Sequence, residues 1–272
     1  MRDDFALYIL SHNRASKVST LTMLKQCNYT GKWFIVIDDE DDVAEYTRLY
    51  GKENILVFNK DIYMDTKIYE PIDNLHKKGC AFPARNFINE HARSSGLRFF
   101  AQFDDDIQEL LFRYVDETGK FKRAKCYNID KVLEEFIRFM ECSDTISGTC
   151  FTIDSAYFGG KDGKFKDGMG RRIYQTMILK VSNQVPWVGS YSEDFLLSML
   201  NIDKLYFEVY SISFVSPQMS TNRGGIDYSS LFDARVYLKV ALGEKLSLTP
   251  SGSLVQKNNN LFPKIISSRF KV

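Results

Sequence analysis

The sequence predicts an α/β protein with a mostly parallel central sheet flanked by helices. Short continuous apolar runs alternate with helical patterns through the first hundred residues, the order of β-α-β units. Three of those runs end in polar clusters, which a parallel sheet gathers on one rim outside its carboxyl ends. The chain has 272 residues, 44% hydrophobic and 14% aromatic, enough for a large core.

The elements follow in order. "FALYIL" is a buried strand, because a continuous apolar run of that length fits a strand covered on both faces. "RASKVSTLTMLKQC" reads as a helix with Val18, Leu21, Met23 and Leu24 on one face. "WFIVID" is a second strand, aromatic and β-branched. "DDVAEYTRLYG" is a helix with an acidic start, stopped by Gly51. "NILVFN" is a third strand. "PARNFINEHARSSG" is a helix with Pro83 in its first turn and Gly96 past its end. "LRFFAQFD" is a fourth strand.

Beyond it the pattern changes. "QELLFRYVDETGKFKRAKC" predicts two strands joined at a Glu-Thr-Gly-Lys turn. "NIDKVLEEFIRFMEC" predicts an amphipathic helix with Val132, Leu133, Phe136, Ile137 and Met140 inward. "TISGTCFTI", "IYQTMILKV" and "KLYFEVYSISFV" predict strands. "SEDFLLSMLN" predicts a helix with Ser192 as N-cap and acids in its first turn. "LFDARVYLKVALGE" predicts a late helix. "FGGKDGKFKDGMGRR" and "SPQMSTNRGGIDYSS" predict loops rich in glycine and polar residues. No linker or internal repeat interrupts the chain. It is expected to form one domain over 1–272.

Composition narrows the function. Net charge is +1, which excludes a globally basic nucleic-acid coat and leaves room for a local basic patch. The five cysteines are odd in number and none lies at C-x-x-C spacing, so a reducing compartment, the cytoplasm, is expected. The N-terminus lacks a cationic signal-peptide region, and no apolar run approaches ~20 residues, so no membrane span is expected.

The strand ends carry the chemistry. "FFAQFDDDI" puts Asp104 and Asp106 on one side of an extended turn, a pair suited to Mg²⁺ or Mn²⁺ and through it to a diphosphate. Asp38 and Asp39 end another strand, where a carboxylate can accept from a ribose hydroxyl or a base N–H, or cap the next helix. Ser11, His12, Asn13 and Arg14 end the first strand, and His12 reads as structural there. Neither G-x-G-x-x-G nor G-x-x-x-x-G-K-[ST] is present, so a nucleotide would be held by another scheme. Cations at Lys161, Lys164, Lys166, Arg171, Arg172 and Arg223 could grip phosphates, with Gly224 and Gly225 allowing a lid. Glu193 and Asp194 suit helix-start electrostatics. Trp187, just before them, is a candidate site residue.

These residues carry a resemblance. "YILSHNR", "FIVIDDEDD", "GCAFPARNFINEHARSSGLRFFAQFDDDI" and "YSEDFLLSML", in this order, resemble the motif blocks of GT-A glycosyltransferases. More narrowly, the chain looks like the TET/JBP-associated glycosyltransferases, many of them phage-encoded and associated with sugar transfer to hydroxymethylated pyrimidines in DNA. The resemblance implies a GT-A fold with a smaller acceptor-side β region, a nucleotide-sugar-binding half at 1–106 and an acceptor-binding half at 107–272, with Trp187 on the acceptor side. It implies a nucleotide diphosphate sugar donor, a UDP-sugar first. Asp38 and Asp39 would contact the nucleoside, Arg14 the base or phosphates, and Arg85 and Asn86 would frame the donor pocket. Asp104 and Asp106 would hold Mn²⁺ or Mg²⁺, and Asp105 would touch ribose or sugar. Asp194, with Glu193 beside it, would be the base of an inverting reaction. The acceptor implied is 5-hydroxymethylcytosine in DNA, and a phage-encoded protein would work in the host cytoplasm. One departure stands out: a late metal-ligating His is common in the wider fold, whereas here all histidines are early. Alternatives are a glycan, protein or metabolite acceptor, a nucleotidyltransferase, or a non-catalytic nucleotide-sugar or DNA-binding module.

Overall fold

The computed structural model describes residues 1–64, 80–157, 169–170, 173–201, 203–217, 246–248, 250 and 254–256. Four parallel strands form one side of a ten-stranded sheet: β1 (Phe5–Leu10), β2 (Lys32–Asp38), β3 (Ile55–Phe58) and β4 (Phe99–Asp104). Their spatial order is β3-β2-β1-β4, and their registers align Leu10 with both Val36 and Asp104. The carboxyl ends of β1, β2 and β4 therefore arrive together, as the polar clusters imply.

The sheet continues through β9 (Thr176–Lys180), β7 (Ile146–Ile153), β10 (Leu205–Val215), β5 (Glu109–Val115) and β6 (Phe121–Lys125). A two-residue strand β8 (Met169–Gly170) pairs with β10. The expected parallel order holds from β3 to β4. Past β4 the sheet is mixed: β9 runs antiparallel to both β4 and β7, β7 and β10 are parallel, and β5 is antiparallel to β10 and β6. The reason is connectivity, since β5 and β6 form a hairpin and β9 enters the gap between β4 and β7 from a loop. Gly148 in β7 marks close packing: a Cβ there would meet Leu179 Cδ2 at 2.6 Å and the Ile178 carbonyl at 3.2 Å. A separate hairpin joins β11 (Leu246–Leu248) to β12 (Leu254–Gln256).

The helices are α1 (Ser19–Gln26), α2 (Val43–Tyr50), a short α3 (Lys60–Tyr63), α4 (Phe82–Ser94), α5 (Ile129–Glu141) and α6 (Glu193–Leu200). Asp42 caps α2 through the Glu45 amide and Asn128 caps α5 through the Lys131 amide. Gly51 leaves α2 at φ +84°, a conformation that favours glycine. On α5, Val132, Leu133, Ile137 and Met140 are buried, each adding about 1.5–3 kcal/mol of apolar transfer. Two helix starts differ from expectation. The first helix does not run on from Arg14: a 3₁₀ turn at Ala15–Lys17 breaks at Val18, and α1 restarts where the Thr20 amide donates to the Asp105 carbonyl, 3.2 Å away. Ser192 makes no side-chain cap; it is left-handed, at φ 56°, and its carbonyl receives the Phe195 and Leu196 amides. The late helix expected at 231–244 lies outside the described residues. Among the described residues no helix is long and apolar enough to cross a membrane.

Candidate active site

The rim at the ends of β1, β2 and β4 holds two acidic corners. The first follows β2. Asp38 and Asp41 are buried, and His12 Nδ1 lies 3.3 Å from Asp38 Oδ2 and 3.4 Å from Asp41 Oδ2. Lys60 Nζ, at the start of α3, donates to Asp38 Oδ2 over 3.5 Å, and the Lys60 amide donates to Asp39 Oδ1 over 3.3 Å. Asp41 also accepts from the backbone amides of Asn13 at 2.6 Å and Asp38 at 3.1 Å. Burial would raise the Asp38 pKa, but the His12 hydrogen bond, His12 and Lys60 charge and the Glu40 amide bring it down to about 2. The hydrogen bonds that His12 donates to Asp38 and Asp41 push it up to about 9 against its burial. Asp39 is exposed at the outer edge of this corner. Ligand atoms of His12, Asp38 and Asp41 lie within 4.8 Å of one another, yet His12 and Lys60 already balance these acids.

The second corner follows β4. Its turn is clamped from below by α1: Thr20 Oγ1 donates to the Asp104 carbonyl at 2.6 Å and accepts from the Ile107 amide at 3.0 Å. The Asp104 amide donates to the Gln175 carbonyl at 2.9 Å. Asp105 turns inward, where Ser11 Oγ donates to it at 2.7 Å and Arg14 Nη1 at 3.0 Å. Burial raises its pKa, and Arg14 and Ser11 oppose the rise. Asp105 and Arg14, expected on the donor, thus meet each other.

Arg85 joins this corner to α6. It is buried on α4, and its guanidinium reaches Glu193 Oε1 (Nε, 3.2 Å), Gln102 Oε1 (Nη1, 3.2 Å) and Asp104 Oδ1 (Nη2, 3.6 Å). Gln102 and Asp104 share one face of β4 because they are two residues apart on a strand. Asp104 keeps 29% of its side-chain surface open, so a ligand can reach it. Burial nevertheless dominates its environment and raises it to about 7, opposed by Arg85 and assisted by Asp106, Asp105 and Glu193. Glu193 is likewise raised by burial against Arg85. Asp104 feels the charge of Asp106, Asp105 and Glu193 against one arginine, and carboxylate oxygens suit a hard divalent cation, but among the described residues the group whose ligand atoms converge within 4.8 Å is His12, Asp38 and Asp41.

Trp187 was expected to face an acceptor. Instead it is fully buried, with the Arg85 guanidinium 5.2 Å from its ring centre, because its segment is tied down to α4. Asn86 binds the Trp187 backbone both ways, donating to its carbonyl at 2.9 Å and accepting its amide at 2.7 Å. Asn89 holds the Val185 carbonyl at 3.2 Å. Asn86 therefore positions the approach to α6, and Asp194 at its start is half-buried.

Of the four described non-glycine residues at positive φ, three edge this site: Asn13 at 54°, Gln175 at 43° and Ser192 at 56°. Arg172 and Arg223, with the lysine-rich loop and the Gly224–Gly225 lid, lie outside the described residues. Sequence reasoning missed Thr20 and Lys60, and placed Ser11 and Asp41 at strand ends without giving them a role. Their types are ordinary, and only the fold supplies their partners; Asp41, in the quoted acidic run, was the most discoverable.

Solved structures share the architecture. S. aureus TarS 1–349, solved with UDP-GlcNAc, is 13% identical with a TM-score of 0.50, over 89% of this chain and 68% of that one. The mannosyltransferase PcManGT from Pyrobaculum calidifontis, solved with GDP-Man and Mn²⁺, is 10% identical with a TM-score of 0.49, over 93% and 67%. The chain spans 40% of a longer TarS chain. No curated protein matches it in sequence. The fold is that of the GT-A nucleotide-diphospho-sugar transferases. Residues 5–225 match the model of the TET-associated glycosyltransferases, and the chain belongs to that family of glycosyltransferases.

Proposed function

We propose that this glycosyltransferase moves a sugar from a nucleotide diphosphate sugar, a UDP-sugar first, to the hydroxyl of 5-hydroxymethylcytosine in DNA. The observation that carries the transfer chemistry is the meeting of Asp104, Arg85 and Glu193, from β4, α4 and α6, on one rim. The family match and the UDP-GlcNAc held by TarS support the donor class. The acceptor rests on the resemblance to glycosyltransferases associated with hydroxymethylated pyrimidines in DNA; the family match itself carries the TET association alone.

In this reading Asp38 and Asp39 receive the nucleoside, and Asp104 and Asp106 would hold Mn²⁺ or Mg²⁺. A bound divalent ion supplies positive charge to the leaving diphosphate. Glu193 is held by Arg85, so Asp194 is the carboxylate assigned as base. It takes the proton of the acceptor hydroxyl while that oxygen bonds to the anomeric carbon. The bond from that carbon to the diphosphate oxygen breaks, and the nucleoside diphosphate leaves with the electron pair. Arg85 keeps Glu193 and Asp104 in fixed relation, so donor and acceptor sides are aligned before reaction.

The test is incubation with a panel of nucleotide sugars, Mn²⁺ and hydroxymethylated DNA, followed by nucleoside mass spectrometry. A glycosylated hydroxymethylcytidine is expected. Release of nucleoside diphosphate with unmodified DNA would overturn the acceptor, and no release from any donor would overturn the donor class.

A further inference from the structure

A groove of about 740 Å³ leaves the site at Arg14 and Asp106 and runs along α1. Among the described residues Asp106 is its sole lining carboxylate, against Arg14, Lys17 and Lys25, in a chain whose 36 Lys and Arg nearly cancel 35 Asp and Glu. Arg14 is tied to Asp105, but Lys17 and Lys25 are exposed and form no ion pair among the described residues. Trp33 and Tyr50 line the groove, both half-buried. The Tyr50 hydroxyl donates to the Ala15 carbonyl, which holds its ring in place.

We propose that this groove binds the single strand of nucleic acid flanking the target nucleotide, with phosphates on Lys17 and Lys25 and a base stacked on Trp33. The inference rests on the DNA reading above and says where that DNA lies. Cations spaced along a groove suit a phosphodiester backbone, and an aromatic ring beside them suits any base, because every base offers a π-face. A neutral glycan would leave the two ammonium groups without a partner. Continuity with Asp106 matters most: a strand in the groove arrives at the corner where transfer is assigned. A target base drawn out of a duplex would need such a hold on its neighbours.

The test uses the full chain, a labelled single-stranded oligonucleotide of about 12 nucleotides with one 5-hydroxymethylcytosine, and the Lys17→Glu/Lys25→Glu variant. With wild type, binding is expected to weaken with salt. In the variant the salt slope should fall by about 1.4, some 0.7 for each lost phosphate contact. The KM for the oligonucleotide should rise about tenfold or more, with a smaller change in kcat. The chain has two tryptophans and Trp187 is fully buried, so quenching on binding should report Trp33 and vanish in Trp33→Phe. An unchanged thermal midpoint shows that the variants fold. If wild type glycosylates the DNA and the variants match it in KM, salt slope and quenching, the groove assignment falls and the acceptor reading stands. If wild type neither binds nor modifies DNA, both fall.

Discussion

The two acidic corners of the rim are built from the same residue type and behave in opposite ways. At the end of β2, Asp38 meets His12 and Lys60 and its pKa falls to about 2. At the end of β4, Asp104 meets Asp105, Asp106 and Glu193 with Arg85 as counter-charge, and it rises to about 7. The ordinary value lies near 4. One corner balances its charge within the protein; the other gathers carboxylates around a single arginine. Burial pushes both acids up; at Asp38 His12 and Lys60 override it, and at Asp104 the single arginine does not. The position of a few cationic side chains separates them.

The strongest way to break this contrast is to remove a carboxylate from the open corner. Asp104→Asn and Asp106→Asn should each cut transfer by about a thousandfold or more, with the fold retained. They should also abolish the rise in thermal midpoint that Mn²⁺ gives wild type. Transfer within tenfold of wild type would show that the corner holds no essential cation. Next in size is Arg85→Ala. It leaves buried Glu193 and half-buried Asp104 without their arginine, and urea unfolding should show a loss of about 3–5 kcal/mol. A loss under about 1 kcal/mol would mean that Arg85 is no hub.

Titration sharpens the comparison. Asp104 has a folded pKa above its unfolded one, so its neutral form favours the fold. Without metal, stability should fall as pH climbs from about 4 through about 7, and Mn²⁺ should reverse that fall. Asp104→Asn should remove this component in a pH series of denaturation curves. His12 also has a raised folded value, so its contribution is full below about 6.5 and is lost as pH rises through about 9. Asp38 is depressed, so its contribution is present above about 4 and is lost as pH falls through about 2. An NMR titration giving His12 an ordinary value would dissolve the closed corner. The smallest effect is expected from His12→Ala, about 1 kcal/mol, since that side chain is 30% exposed.

Much of this was legible in the residues. "FALYIL" and "FFAQFD" are strands on apolar continuity, and Asp42, Asn128, Pro83 and Gly51 mark helix ends by local chemistry. Local rules could not show β9 entering between β4 and β7, because strand neighbours are set by tertiary packing. They also could not show that Asp105 belongs to Arg14, or that Trp187 lies under Arg85, since those partners are 91 and 102 positions apart in the numbering. The motif blocks meet on one rim of the sheet. The division of labour within it, who balances whom, exists only in three dimensions.

The left-handed residues at the rim bear on thermostability engineering. Glycine at Gln175 or Ser192 would relieve about 1 kcal/mol of backbone strain at each, and a screen for heat resistance would select it. The same change frees the peptide whose carbonyl receives the Asp104 amide, and the one that opens α6. Heat resistance and turnover therefore pull against each other at these two positions. Libraries meant to retarget the enzyme to another acceptor do best to keep both residues and vary their neighbours.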